Sequence, residues 1–245
     1  MLYVVMEKGD TDLATFFKKR GQNRLDYLTL AFYWSEMLKA VQVVHQKGIV
    51  HSDLKPRNFL IVGGQVKLID FGIANAVPSN KTSVTKECQM GTPNYMSPEA
   101  LSSFEDVDRC KFRVGVKSDV WSLGCILYYM VYGKTPFEHV PNNCKMFAIT
   151  NCKYQIEFEP IEDLNLLNVM QRCLERDPRK RASVEELLNH TYLKKYSHGS
   201  MVNARSLSDE KIKDLALLAS KNTPKTNAKL LKYDMEEAEQ SPFIG

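Results

Sequence analysis

No two of the six cysteines, at positions 88, 110, 125, 144, 152 and 173, stand in a C-x-x-C pair, which argues against a zinc site. A chain of 245 residues buries enough core to stand without disulfides, and nothing marks it as secreted, so reduced thiols are expected. The start, "MLYVVMEKGDTDL", lacks the basic opening and long apolar run of a signal peptide. Long hydrophobic runs are missing as well. The most apolar stretch, "VWSLGCILYYMVYG" from Val120 to Gly133, is too short to span a bilayer and reads as a buried helix. There is little excess charge: a net +4 fits an acidic or phosphate-bearing partner without demanding one, and also fits a solvated surface. There is no internal repeat and no low-complexity tract. What remains, 44% hydrophobic and 25% charged residues, is the balance of a folded globular chain of one large or two small domains.

The pattern along the chain is a few short strands followed mostly by helices. Residues 2–6, "LYVVM", are β-prone and "EKGD" turns the chain. Leu30, Trp34, Met37, Leu38, Val41 and Val44 keep a helical period that ends near Gly48. "FLIVGGQVKLI" predicts two strands joined at Gly63-Gly64. Residues 73–96, polar and broken by Pro78 and Pro93, predict a long loop, and such a loop in a compact domain is functional or disordered. Leu166, Val169, Met170, Cys173 and Leu174 mark another helix, and Ser183 with Glu186 a capping box. After a polar break at 197–206, amphipathic segments lie around 212–219 and 228–235.

"HSDLKPRNFL", residues 51–60, carries the chemistry. Moving a phosphoryl group from ATP to a hydroxyl needs a carboxylate to take the proton, a cation for the phosphate and oxygen ligands for magnesium. Asp53, Lys55, Asn58 and Asp70 are those residue types, and the hairpin returns Asp70 toward the other three. "DFG", Asp70 to Gly72, sets a carboxylate at a strand end beside a residue that lets the backbone turn. Any one of these strings alone would be an ordinary turn, and Lys55 alone a solvated lysine. Four motifs in order make chance remote. Trp121 and Tyr128 read as core, and His51 as a packed scaffold residue. Asp119 fits a helix N-cap.

"HSDLKPRN", "DFG", "GTPNYMSPEA" and "SDVWSLG" follow one another as in the eukaryotic protein kinases, and the chain resembles that family. "GIVHSDLKPRNFLIV", "VKLIDFGIAN" and "SDVWSLGCILYYMVYGKTPF" resemble the monopolar spindle kinases, dual-specificity kinases of the spindle checkpoint, from about Leu2 to Lys195. The resemblance implies an α+β protein-kinase-like fold. It would consist of a mainly helical C-terminal lobe with short β-hairpins, and no N-terminal lobe. Residues 1–10 would be the last N-lobe strand and hinge, 11–196 the C-lobe, and 197–245 a C-terminal extension. Asp53 would be the catalytic base, Lys55 the phosphate-contacting lysine, Asn58 and Asp70 the magnesium ligands, and Thr92 a contact to base and lysine. Met6 would be the gatekeeper, Glu7 to Gly9 would offer backbone groups to adenine, and Leu60 and Ile69 would lie under the ring. Asp119 would brace the catalytic-loop backbone, and Glu99 of "SPE" would pair with Arg181 of "DPRKR".

The cofactors implied are ATP and Mg2+. The partners are protein substrates bearing Ser or Thr, and Tyr under dual specificity, among kinetochore proteins, with no direct nucleic acid and no membrane. The implied location is nucleus, kinetochore and cytoplasm. The chain contains no G-x-G-x-x-G run and no strand lysine before the hinge. These 245 residues alone are therefore expected to bind ATP weakly, and a non-catalytic scaffold is the rival reading. Thr82, Ser83 and Thr85 are the expected phosphorylation sites, near Lys81 and Lys86. Serine at position 52, where many kinases carry arginine, removes the usual partner for such a phosphate.

Overall fold

The computed structural model describes residues 7–20, 25–70, 75–76, 84–87, 93–102 and 111–197. Met6, Thr92, Lys81, Thr82, Ser83, the run at 2–6 and the tail segments after residue 197 lie outside them. Strand β1 (Thr11–Asp12) leads into helix α1 (Leu13–Arg20) and then α2 (Tyr27–Gln46). Asp26 starts α2 by accepting from Thr29 N at 2.8 Å, and every apolar position of its predicted stripe is buried. The chain leaves α2 through Gly48, whose φ of 69° is the left-handed turn expected there.

Strand β2 (Ile49–Val50) precedes the loop at 51–55, and strands β3 (Phe59–Val62) and β4 (Gln65–Leu68) form the predicted hairpin. Gly63 and Gly64 take φ of 54° and 81°, the two positive values a tight I′-type turn requires. Registers Phe59↔Leu68 and Val62↔Gln65 fix the pairing, and β1 adds to β3 at Thr11↔Ile61. Phe59 and Ile61 point into the core, so Leu60 and Val62 face the other way.

The stretch 73–96, expected to be loop, carries β5 (Asn75–Ala76) and β6 (Val84–Glu87). Strand β5 pairs with β2, and β6 with β7 (Lys111–Val114). These strands are short and their partners distant in sequence, so no local periodicity announces them.

The rest is helical: α3 (Pro98–Ser102), α4 (Val116–Tyr132), α5 (Asn142–Thr150), α6 (Leu164–Cys173), α7 (Val184–Leu188) and α8 (Thr191–Ser197). Helix α4 is the axis of the core, with Trp121, Leu123, Cys125, Ile126 and Leu127 fully buried. The Ser183–Glu186 capping box forms at α7, in both directions. Among the described residues no helix is long and apolar enough to cross a membrane.

Helix α4 meets α6 at Gly124, where an added Cβ would lie 2.6 Å from Cys173 Cβ. Neither atom is the far end of a flexible side chain, so the helices would have to separate. Gly124→Ala is expected to cost roughly 1–3 kcal/mol, read as a lower urea midpoint at unchanged slope.

Candidate active site

The loop that carries Asp53 hangs from one buried carboxylate. Asp119, fully buried in the first turn of α4, accepts from His51 N at 2.9 Å and Ser52 N at 2.7 Å. Its Oδ2 also lies 2.8 Å from His45 Nε2, at the end of α2. Two of these contacts hold the backbone just before Asp53, and the third ties the same carboxylate to α2. Ser52 sits at a φ of 68°, in the left-handed region, and its Oγ donates to Val50 O at 3.3 Å. The loop is thus held in a strained turn by a fixed anchor. His51 is a packed residue, 1% exposed, with Nδ1 accepting from Asp53 N at 3.4 Å.

Beyond that turn, Asp53 and Lys55 emerge together, with Lys55 Nζ donating to Asp53 Oδ2 at 2.6 Å. Their side chains are 37% and 38% exposed. A pair so exposed contributes about 0–1 kcal/mol to stability, so its significance is the placing of a carboxylate beside an ammonium at a half-exposed position. Asn58 closes a short helical turn and precedes β3, while Ile69 N donates to Asn58 O at 2.8 Å. The hairpin register therefore sets Asn58 and the segment entering Asp70 side by side, as the sequence predicts. Asp70 is exposed and has a φ of 64°, a second left-handed residue after Ser52.

Asn58 is only 2% exposed, yet its Oδ1 has no hydrogen-bond partner among the described residues. An orphaned buried carbonyl oxygen is costly unless a ligand meets it. With the Asp70 carboxylate it makes a hard-oxygen donor set suited to magnesium, which takes few protein ligands and keeps water or phosphate for the rest.

The residues that the resemblance assigns to adenine lie among the first described residues and the hairpin. Leu60, on the outward face of β3, lies against Gly9, where an added Cβ would come within 2.9 Å of Leu60 Cδ1. Asp10 N donates to Ile61 O at 2.8 Å, Gly63 N donates to Asp10 Oδ2 at 2.9 Å, and Lys67 pairs with Glu7. Glu7, Gly9 and Leu60 are thus brought together, and Ile69 follows β4 half-buried. Sequence reasoning missed the Lys67–Glu7 and Asp10–Gly63 ties, since nothing local signals pairs so far apart in the chain.

Elsewhere in the core, Arg181 reaches Glu99. Its Nη1 donates to Oε1 at 2.7 Å and its Nη2 to Oε2 at 2.9 Å, as expected of that pair. The guanidinium also donates to the carbonyls of Lys117, Glu175 and Arg176 and lies 5.2 Å from the Trp121 ring. Burial would raise the Glu99 carboxyl, but the hydrogen bonds and charge of Arg181, with a further bond from Ser118, hold it below the usual glutamate range.

The sequence profile described as "Protein kinase domain" matches residues 1–193. The chain belongs to the protein kinase family. This kinase chain is 46% identical over 235 residues to "Dual specificity protein kinase TTK" of Mus musculus, covering 94% of the chain and 27% of the relative. It is 48% identical over 193 residues to "Dual specificity protein kinase Ttk" of Danio rerio, with 78% and 20% covered. Over 209 residues it is 43% identical to "Serine/threonine-protein kinase MPS1" of Saccharomyces cerevisiae, with 80% and 27% covered. The kinase chain therefore spans about a quarter of the length of these curated relatives. The family and the branch that the motifs resemble are the ones these comparisons return.

Proposed function

We propose that these residues transfer the γ-phosphoryl group of ATP to Ser or Thr of protein substrates, and to Tyr under dual specificity. The observation that carries this is one short stretch in which Lys55 pairs with Asp53, Asn58 Oδ1 has no partner among the described residues, and the hairpin ties the segment entering Asp70 to Asn58. When bound, magnesium would offset phosphate charge and fix the γ-phosphoryl group, with Asn58 and Asp70 holding it. Asp53 would orient the acceptor hydroxyl and take its proton as the oxygen–phosphorus bond forms. The bond from the γ-phosphorus to its bridging oxygen breaks, and ADP leaves with that electron pair. Lys55, fixed against Asp53, would meet the transferred group. Leu60, Ile69 and the Glu7–Gly9 backbone would hold adenine, with Met6 as gatekeeper and Thr92 between base and lysine.

In the same reading, residues 1–10 are the last N-lobe strand and hinge, 11–196 the C-lobe and 197–245 a C-terminal helical extension or tail. The substrates are kinetochore proteins, and the role lies in chromosome segregation in nucleus and cytoplasm. The 245 residues hold no G-x-G-x-x-G run to cover the phosphates, so on their own they would bind ATP weakly and turn over little. Placing a complete kinase N-lobe ahead of them is expected to raise turnover strongly. Asp70→Asn in that fusion is expected to lose magnesium-dependent nucleotide binding by calorimetry. Equal activity with and without the lobe would refute the first expectation, and undiminished binding the second. A fusion that binds ATP but transfers nothing would favour the scaffold reading.

A further inference from the structure

Helix α5 carries a buried lysine that the catalytic scheme leaves unused. Lys145 is only 4% exposed, and lysine is seldom buried to that degree without a partner, because desolvating an ammonium is costly. Its Nζ donates to Asn94 Oδ1 at 2.8 Å, a neutral acceptor. A methionine would fill the same space without the desolvation cost, so packing does not account for the lysine.

What Asn94 belongs to gives the lysine a purpose. It is the middle residue of the turn Pro93–Tyr95, which joins "GT" at 91–92 to α3. Met96 N closes that turn by donating to Pro93 O at 3.1 Å, and Ser122 of α4 donates its Oγ to Tyr95 O at 2.7 Å. The turn is pinned from α4 through its backbone and from α5 through a side chain. On its far side, α3 is locked by the Glu99–Arg181 pair. Asn94 stands two positions after Thr92 in the chain, the residue that the proposed function sets between base and lysine.

We infer that Lys145 is a positioning residue, acting through Asn94 to hold the turn Pro93–Tyr95 in the shape against which a protein substrate docks. The inference rests on the kinase reading for its substrate. Asp53, Asn58 and Asp70 are held by a separate set of bonds, through Asp119 and through Asn58 O to Ile69 N. Losing Lys145 should therefore weaken the capture of protein substrate and leave ATP binding and the chemical step alone.

Two measurements test this. In the 245-residue chain, Lys145→Met keeps the stem and much of the volume. Amide hydrogen exchange at Tyr95 and Met96 should speed up, while α4 and α6 keep their protection, and Lys145→Arg should restore the slow rates. Exchange unchanged at the turn, or raised equally everywhere, would overturn the proposal. In the N-lobe fusion, K145M should raise KM for a protein substrate by ~10-fold, the scale of one hydrogen bond to a charged group. Both kcat and KM for ATP should stay put. Asn94→Ala should do the same, and the double variant should add nothing further. Equal losses in kcat, or additive effects, would count against it. If the unmutated fusion transferred no phosphate, the kinase reading would fall and the substrate half with it. The exchange result would still decide whether Lys145 holds the turn.

Discussion

Asp53→Asn, in a protein with a complete N-lobe ahead of these residues, is expected to lower phosphoryl transfer by ~10²–10⁴-fold, the scale of a lost general base. The amide keeps the size of the carboxylate and can still meet a hydroxyl, but it cannot take a proton at neutral pH. Stability should hardly move. The Asp53 side chain is 37% exposed and its partner is the half-exposed Lys55, while the loop backbone is held by Asp119 instead. The check is steady-state transfer to a protein substrate alongside a melting curve. Near-normal rates would remove Asp53 from the role of base, and a collapsed melting temperature would mean that it had been holding the loop.

The second large effect is on stability. Arg181 is fully buried and its nitrogens are met by two carboxylate oxygens and three backbone carbonyls. Removing one side of such a pair strands a buried charge, so Glu99→Gln and Arg181→Ala are each expected to cost about 3–5 kcal/mol in urea denaturation. The pH dependence follows from the lowered Glu99 carboxyl. A carboxyl whose pKa is depressed on folding contributes stability that is present above the unfolded value, ~4.3 for glutamate, and is lost as pH falls through the folded one. The gap between native protein and E99Q should therefore be constant near neutrality and close in acid. A gap that widened in acid would contradict the assignment.

The features legible in the sequence were those with a local signature. Gly63-Gly64 between two apolar runs predicted the hairpin, because only a pair of positive-φ residues makes so tight a turn. The Ser183–Glu186 spacing predicted its own reciprocal bonds. Strands β5 and β6 were illegible because their hydrogen-bond partners lie well outside any window in which a period can be counted. The site shows the same division. Asp53, Lys55 and Asn58 were visible as one run of six residues. The pairing of Glu99 with Arg181 was legible only through resemblance to a family, and the structure supports it. Lys145 looked like any surface lysine on a helix, since nothing in "NNCKMFAIT" shows that its ammonium is enclosed beside a turn some fifty positions earlier.

The Glu99–Arg181 bond also constrains the order in which the protein can be assembled as it is made. The two residues are 82 positions apart. At a synthesis rate of ~5–20 residues per second, Glu99 leaves the ribosome roughly 4–16 s before its arginine does. During that interval the guanidinium that Glu99 will meet does not yet exist, and the enclosure around that pair cannot form. The lobe cannot close domino-fashion from its N-terminal end. Its α3 segment has to wait, solvated and open to chaperones and proteases, for a side chain not yet made. A ribosome stalled between codons 99 and 181 would therefore display a half-lobe without its lock, and release from that stall would show as a delayed gain of protease resistance centred on residues 98–102.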